Sequence, residues 1–297
     1  MAGLGSAKDP DHSSPHLSRL LEGLPVTDRS LDVAGTSTPV LEGGDGPPVV
    51  LLHGVGGFSE EWGGVLPQLV GSHRVVVPDL PGLGRSQVGA GRLDAASVVD
   101  WLRHLIEQTC SEPPTLVGHS LGGSIAARFA IEYGDRISRV ILVDSGSMGR
   151  FRPAPGMVWA ILRFGARPNH ANHDRFLRQV LVNPERAAAE WGDRWSALEG
   201  YDIELAGNKK VSTASGQLVR RIAARRIPQE QLAGMKVPVA LIWGTGDRLM
   251  RFKIAEGTSE RFGWPLYPIE DCGHGPHIER PGTFIEALET AIAAPSS

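Results

Sequence analysis

Residues 114–133 read PTLVGHSLGGSIAARFAIEY: a short apolar run, a serine flanked at two residues' distance by glycines, and then a stretch of helical composition. Residues 115–117 fit a buried strand, and the stretch from Leu121 fits a helix packed against it. Ser120 therefore falls on a sharp strand-to-helix turn, which lifts its hydroxyl to the edge of a sheet. Glycines at 118 and 122 let such a turn pack without a Cβ clash. The following helix aims its positive end and its free N–H groups at charge developing beside the serine. A serine hydroxyl is a weak nucleophile until a base removes its proton, so the turn predicts a histidine and an acid elsewhere in the chain.

Outward from this turn the same pattern recurs. Apolar or alternating runs at 26–33, 38–41, 49–52, 75–77, 115–117, 140–143, 237–243 and 265–269 are separated by segments of helical length, among them 60–70, 95–108, 121–133, 252–262 and 281–293. Strand and helix alternate, which predicts an α/β fold with a doubly wound, mostly parallel eight-stranded sheet. The alternation fails between 148 and 227, where no strand run occurs and 12 Arg and 2 Lys face 3 Asp and 4 Glu. That segment, at +7, predicts an inserted all-helical lid on an acidic body. The core then comprises 26–147 and 228–297, and 1–25 reads as a flexible arm with one helical turn near Leu17.

Composition narrows the function. The net charge of −3 in 297 residues gives no overall positive field for nucleic acid. Cys110 and Cys272 make neither a disulfide framework nor a zinc-ligand spacing. No window is long and apolar enough for a membrane span, and the N-terminus lacks the pattern of a secretory leader, so a cytoplasmic monomer or homodimer acting on a small molecule is expected. The stretch GVGGFS lacks the third glycine of a dinucleotide-binding loop.

Candidates for the base and the acid sit after the later runs. His274 lies in DCGHGPH, with His277 three residues on; Asp247 follows VPVALIWGTG, and Asp144 ends VILVD. All fall at carboxyl ends of predicted strands, where α/β sheets place their sites.

Taken together, HGVGGFSEEW (53–62), DLPGLGRS (79–86), GHSLGG (118–123), VILVDS (140–145), WGTGDRL (243–249) and GHGPHIERP (273–281) resemble, in this order, the α/β-hydrolase superfamily over about 26–293. The resemblance implies Ser120 as nucleophile, His274 as base and Asp247 as the acid that orients it, with oxyanion donors at the amides of Val55 and Leu121 and no metal or organic cofactor. It also implies that His53 fixes the oxyanion loop, and it suggests Gly54, Phe58, Met148, Trp159 and His277 as pocket residues. Apolar residues of the lid, Phe151, Met157, Trp159, Ile161, Leu162 and Phe164, are expected to face an acyl chain.

A serine at the turn excludes the branches that open epoxides or displace halides, which need a carboxylate there. Gly275-Pro276 departs from the tryptophan that carbon–carbon hydrolases of dienoate ketones often carry after the base, and Val55 departs from the aromatic residue of cofactor-free perhydrolases. The expected activity is hydrolysis of a small to medium, partly apolar ester, thioester or lactone through an acyl-enzyme. Two alternatives stay open: a lyase or carbon–carbon hydrolase using the same pocket, and a ligand receptor that keeps the triad but turns over slowly.

Overall fold

Unbroken Val, Leu and Ile runs carry two apolar faces, and both must be covered. In the computed structural model, which describes residues 13–88, 92–149 and 153–295, these runs pair into one sheet. Its strands are β1 (Thr27–Val33), β2 (Thr36–Gly43), β3 (Pro48–Leu52), β4 (Arg74–Pro78), β5 (Gln87–Val88), β6 (Thr115–His119), β7 (Arg139–Val143), β8 (Val239–Gly244) and β9 (Leu266–Ile269). The order is β1-β2-β4-β3-β6-β7-β8-β9; the six from β4 to β9 run parallel, and β2 is antiparallel to both its neighbours on this path. The sheet has nine strands rather than the expected eight, because Gln87 and Val88 pair with Ser37 and Thr36 of β2. Two residues are too few to show a period in sequence.

Helices cover both faces: α1 (Pro15–Leu21), α2 (Leu66–Leu69), α3 (Ala95–Thr109), α4 (Leu121–Glu132), α5 (Pro155–Ala166), α6 (His170–Val180), α7 (Pro184–Trp191), α8 (Trp195–Gly207), α9 (Lys209–Leu218), α10 (Gln229–Ala233), α11 (Phe252–Phe262), α12 (Pro276–Glu279) and α13 (Pro281–Ala293). Strand side chains alternate between two cores. Val50, Leu52, Leu116, Leu142 and Trp243 meet α3 and α4 on one side, while Val49, Leu51, Val117, Ile141 and Ile242 meet Trp62 and α13 on the other.

Between β7 and β8 the described residues hold helices α5 to α10 and no strand. A buried histidine ties two of them together: His173 Nε2 lies 3.0 Å from Asp202 of α8, and Nδ1 lies 3.6 Å from Glu199. Burial alone would lower the pKa of His173; the two carboxylates outweigh it and raise it.

The helical turn expected near Leu17 is α1. Residues 1–12 of the expected arm lie outside the described ones, but α1 is capped by the Ser14 hydroxyl and packs on α8, with Leu17 and Leu20 fully buried. Two leucines three residues apart suffice to anchor one short helix.

Candidate active site

Ser120 takes a φ of +52°, a left-handed value that costs a non-glycine residue roughly 1–3 kcal/mol. The turn is held from both sides: Ser120 N–H donates to Val143 O at 2.9 Å, and Gly122 N–H donates to His53 O at 3.1 Å. A Cβ on Gly118 would come within 2.4 Å of Gly122 O, and one on Gly122 within 2.4 Å of Leu52 O. Both glycines are therefore demanded by close backbone approach, as the sequence predicts.

The structure brings Ser120, His274 and Asp247 together from three strand ends. His274 Nε2 lies 2.9 Å from Ser120 Oγ, and its Nδ1 lies 2.7 Å from Asp247 Oδ2. The other carboxylate oxygen of Asp247 accepts the amides of Leu249 and Met250 at 2.7 and 2.9 Å. Burial works against a charged Asp247, but the His274 ring and the Met250 amide outweigh it and hold its pKa below the ordinary value. All three side chains are nearly enclosed.

Asp144, the rival acid, makes no hydrogen bond to His274; its Oδ1 accepts the Gly244 amide at 3.1 Å. Full burial, followed by the nearby Asp247, raises its pKa well above the ordinary value.

The amides of Val55 and Leu121 have no hydrogen-bond acceptor among the described residues. The loop that carries Val55 is pinned by His53, whose Nδ1–H donates to Gly54 O at 2.8 Å and whose Nε2 accepts the Leu80 amide at 2.9 Å. Burial lowers the pKa of His53, which keeps the ring neutral for this double role. Gly54 backs directly onto Ser120: a Cβ there would sit 3.0 Å from the His119 ring and 3.5 Å from Ser120 Cβ.

The remaining expected pocket residues fare differently. Phe58 is enclosed and meets Tyr201 edge-on at 4.7 Å between ring centroids, and Met148 is part of the core. His277 is fully buried, stacked on Trp62 at 4.2 Å, so it is a packing residue rather than a wall of an open pocket. Trp159 points outward, 51% exposed, and Ile161 and Leu162 are also exposed. The expectation that these three face an acyl chain is overturned: α5 buries Met157 and Ala160 instead. Phe164 is half-buried beside His173, and Phe151 lies outside the described residues.

Two residues hold the histidine loop: His119, expected from the sequence to pack beside the serine turn, and Glu279, which the sequence does not single out. His119 sits behind the serine, neutral because burial pushes its pKa down to about 3, and its Nε2–H donates to His274 O at 2.5 Å. Glu279 is fully buried and accepts the amides of Gly273 (2.7 Å), Val182 (3.2 Å) and Asn183 (2.6 Å), besides an Arg186 guanidinium at 3.1 Å. His274 N–H in turn donates to Val180 O at 2.8 Å. The histidine loop and the start of the 180–186 stretch thus form one seam.

Residues 49–287 match the model of the Alpha/beta hydrolase family. The chain belongs to this family. Among relatives of this α/β hydrolase, the pimeloyl-[acyl-carrier protein] methyl ester esterase of Aeromonas hydrophila is 28% identical over 258 residues, 83% of this chain and 95% of that one. The 2-hydroxy-6-oxo-6-phenylhexa-2,4-dienoate hydrolase of Comamonas testosteroni is 26% identical over 260 residues, covering 82% and 86%. Among solved structures, the 2-hydroxy-6-oxo-6-phenylhexa-2,4-dienoate hydrolase of Rhodococcus sp. strain RHA1 superposes with a TM-score of 0.79 at 22% identity, over 91% of this chain and 99% of that one. No helix among the described residues of this α/β hydrolase is long and apolar enough to cross a membrane.

Proposed function

We propose that this α/β hydrolase is a serine hydrolase that cleaves a carboxylic ester, thioester or lactone through an acyl-enzyme on Ser120. The observation that carries the reading is the continuous relay from Asp247 through His274 to Ser120, with hydrogen bonds of 2.7 and 2.9 Å. Asp247 fixes the tautomer of His274, so that Nε2 is free to take the Ser120 proton as the hydroxyl oxygen attacks the carbonyl carbon. The oxyanion that forms is met by the unpartnered amides of Val55 and Leu121. His274 then passes the proton to the leaving alcohol, thiol or ring oxygen. A water molecule, activated by the same imidazole, attacks the acyl-enzyme and releases the acid and Ser120.

The substrate is small to medium and partly apolar. The helices between β7 and β8 serve as a cap, and substrate entry requires that cap to shift because Ser120 is only 9% exposed. The test is fluorophosphonate labelling of the protein and of Ser120→Ala, followed by a p-nitrophenyl ester series of increasing acyl length. Labelling confined to the serine form, with turnover across part of the series, supports the reading; an unlabelled, folded wild-type protein refutes it.

Similarity to a dienoate hydrolase favours one second reading, hydrolysis of a carbon–carbon bond next to a ketone at the same site. Under that reading a 2-hydroxy-6-ketodienoate is cleaved with a higher kcat/KM than any ester of the series.

A further inference from the structure

Helix α5 is apolar but for Arg163, yet only part of it is covered. Met157 and Ala160 are buried, and the helix packs on α6 and α8. Val158, Trp159, Ile161 and Leu162 are exposed by 39, 51, 40 and 67%. At about 100° per residue these four span an arc of roughly 160°, which Gly165 and Ala166 continue without a charge. Among the described residues they are four of the five exposed large apolar side chains, the fifth being Val55.

The border of this face is cationic. The guanidinium groups of Arg163 and Arg175 lie 5.4 and 5.2 Å from the Trp159 ring, and both donate to Asn172 Oδ1. Neither of these, nor Arg167, has a carboxylate partner among the described residues. In sequence, residues 145–173 contain four arginines and no Asp or Glu, within a chain whose net charge is −3. Arg163 and Arg175 therefore place unneutralised positive charge beside this face.

We propose that the outer face of α5 docks the protein on an anionic lipid surface. An apolar arc with a tryptophan at its edge and unneutralised arginines beside it suits the boundary between headgroups and acyl chains, where each arginine adds attraction to anionic lipid. A second copy of the chain is a poor occupant, because a two-fold contact through this face sets the same arginines against each other. The proposal rests on the surface of α5 and is independent of the chemistry at Ser120.

The test is co-sedimentation of the full chain with phosphatidylcholine vesicles, with and without phosphatidylglycerol. Binding is expected to the mixed vesicles and to fall with added salt. Leu162→Glu lowers the partition coefficient at least about tenfold and Arg167→Gln about fivefold. Both variants keep the wild-type melting temperature and their hydrolysis of a soluble ester, since neither side chain is buried. Failure of the wild-type protein to bind mixed vesicles overturns the proposal, as does undiminished binding by Leu162→Glu. A dimer that Leu162→Glu dissociates also overturns it, and assigns the face to a second copy.

Discussion

The carboxylate of Glu279 accepts the amide of Gly273 at 2.7 Å, one residue before His274. The same carboxylate holds Val182 and Asn183, so one buried group sets the distance between the histidine loop and the segment after α6. Glu279→Ala strands three amides and a guanidinium, a loss of about 3–5 kcal/mol. The expected result is a lower urea midpoint together with fluorophosphonate labelling slowed by about 10²-fold, because the imidazole shifts relative to Ser120. Glu279→Gln keeps an acceptor and recovers part of both.

The left-handed φ of Ser120 predicts a gain of stability on losing function. Ser120→Gly relieves the strain and raises stability by about 1–3 kcal/mol, whereas Ser120→Ala keeps a Cβ and most of the strain. Neither variant is labelled. Thermal melts of the two separate backbone strain from the loss of the hydroxyl.

Burial and the nearby Asp247 raise the pKa of Asp144 in the folded protein, while an unfolded chain ionises it near pH 4. A raised folded pKa means that the folded state holds the extra proton, so this residue lowers stability as pH rises above the unfolded value. Asp144→Asn removes the titration and preserves an acceptor for Gly244. Its melting temperature should match the wild type near pH 4 and exceed it by at least about 2 °C at pH 8, a shift that corresponds to roughly 1 kcal/mol or less. Equal melting temperatures at both pH values would exclude a raised pKa at Asp144.

His173 gives the opposite sign from the other side of the ladder. Its folded pKa is raised above 6.5 by Asp202 and Glu199, so its contribution is full below pH 6.5 and disappears as pH rises through the folded value. The difference in melting temperature between wild type and His173→Gln is therefore expected to be largest at pH 5–6 and to shrink on the alkaline side.

Much of this architecture is legible in the sequence because parallel strands covered on both faces are apolar along their length, as in β3 and β8. Gly118 and Gly122 announce the turn at Ser120 because close backbone contact leaves no alternative residue. The residues that escaped notice act through distant partners. Glu279 reads as an ordinary surface acid in HIERP, and only the return of residues 182, 183 and 186 to its side gives it a role. Trp159 escapes for a different reason: a helix whose one charge is Arg163 carries too little periodicity to tell its inner face from its outer one.

The seam between the histidine loop and residues 180–186 also bears on how such a protein can be recombined. A chimera that replaces the helices between β7 and β8 with those of a relative exchanges the acceptor at Val180 and the donors at Val182, Asn183 and Arg186 along with them. The productive crossover is therefore not at the strand ends alone: residues 180–186 and 273–279 have to travel as one block, or the transplanted helices leave His274 out of register with Ser120.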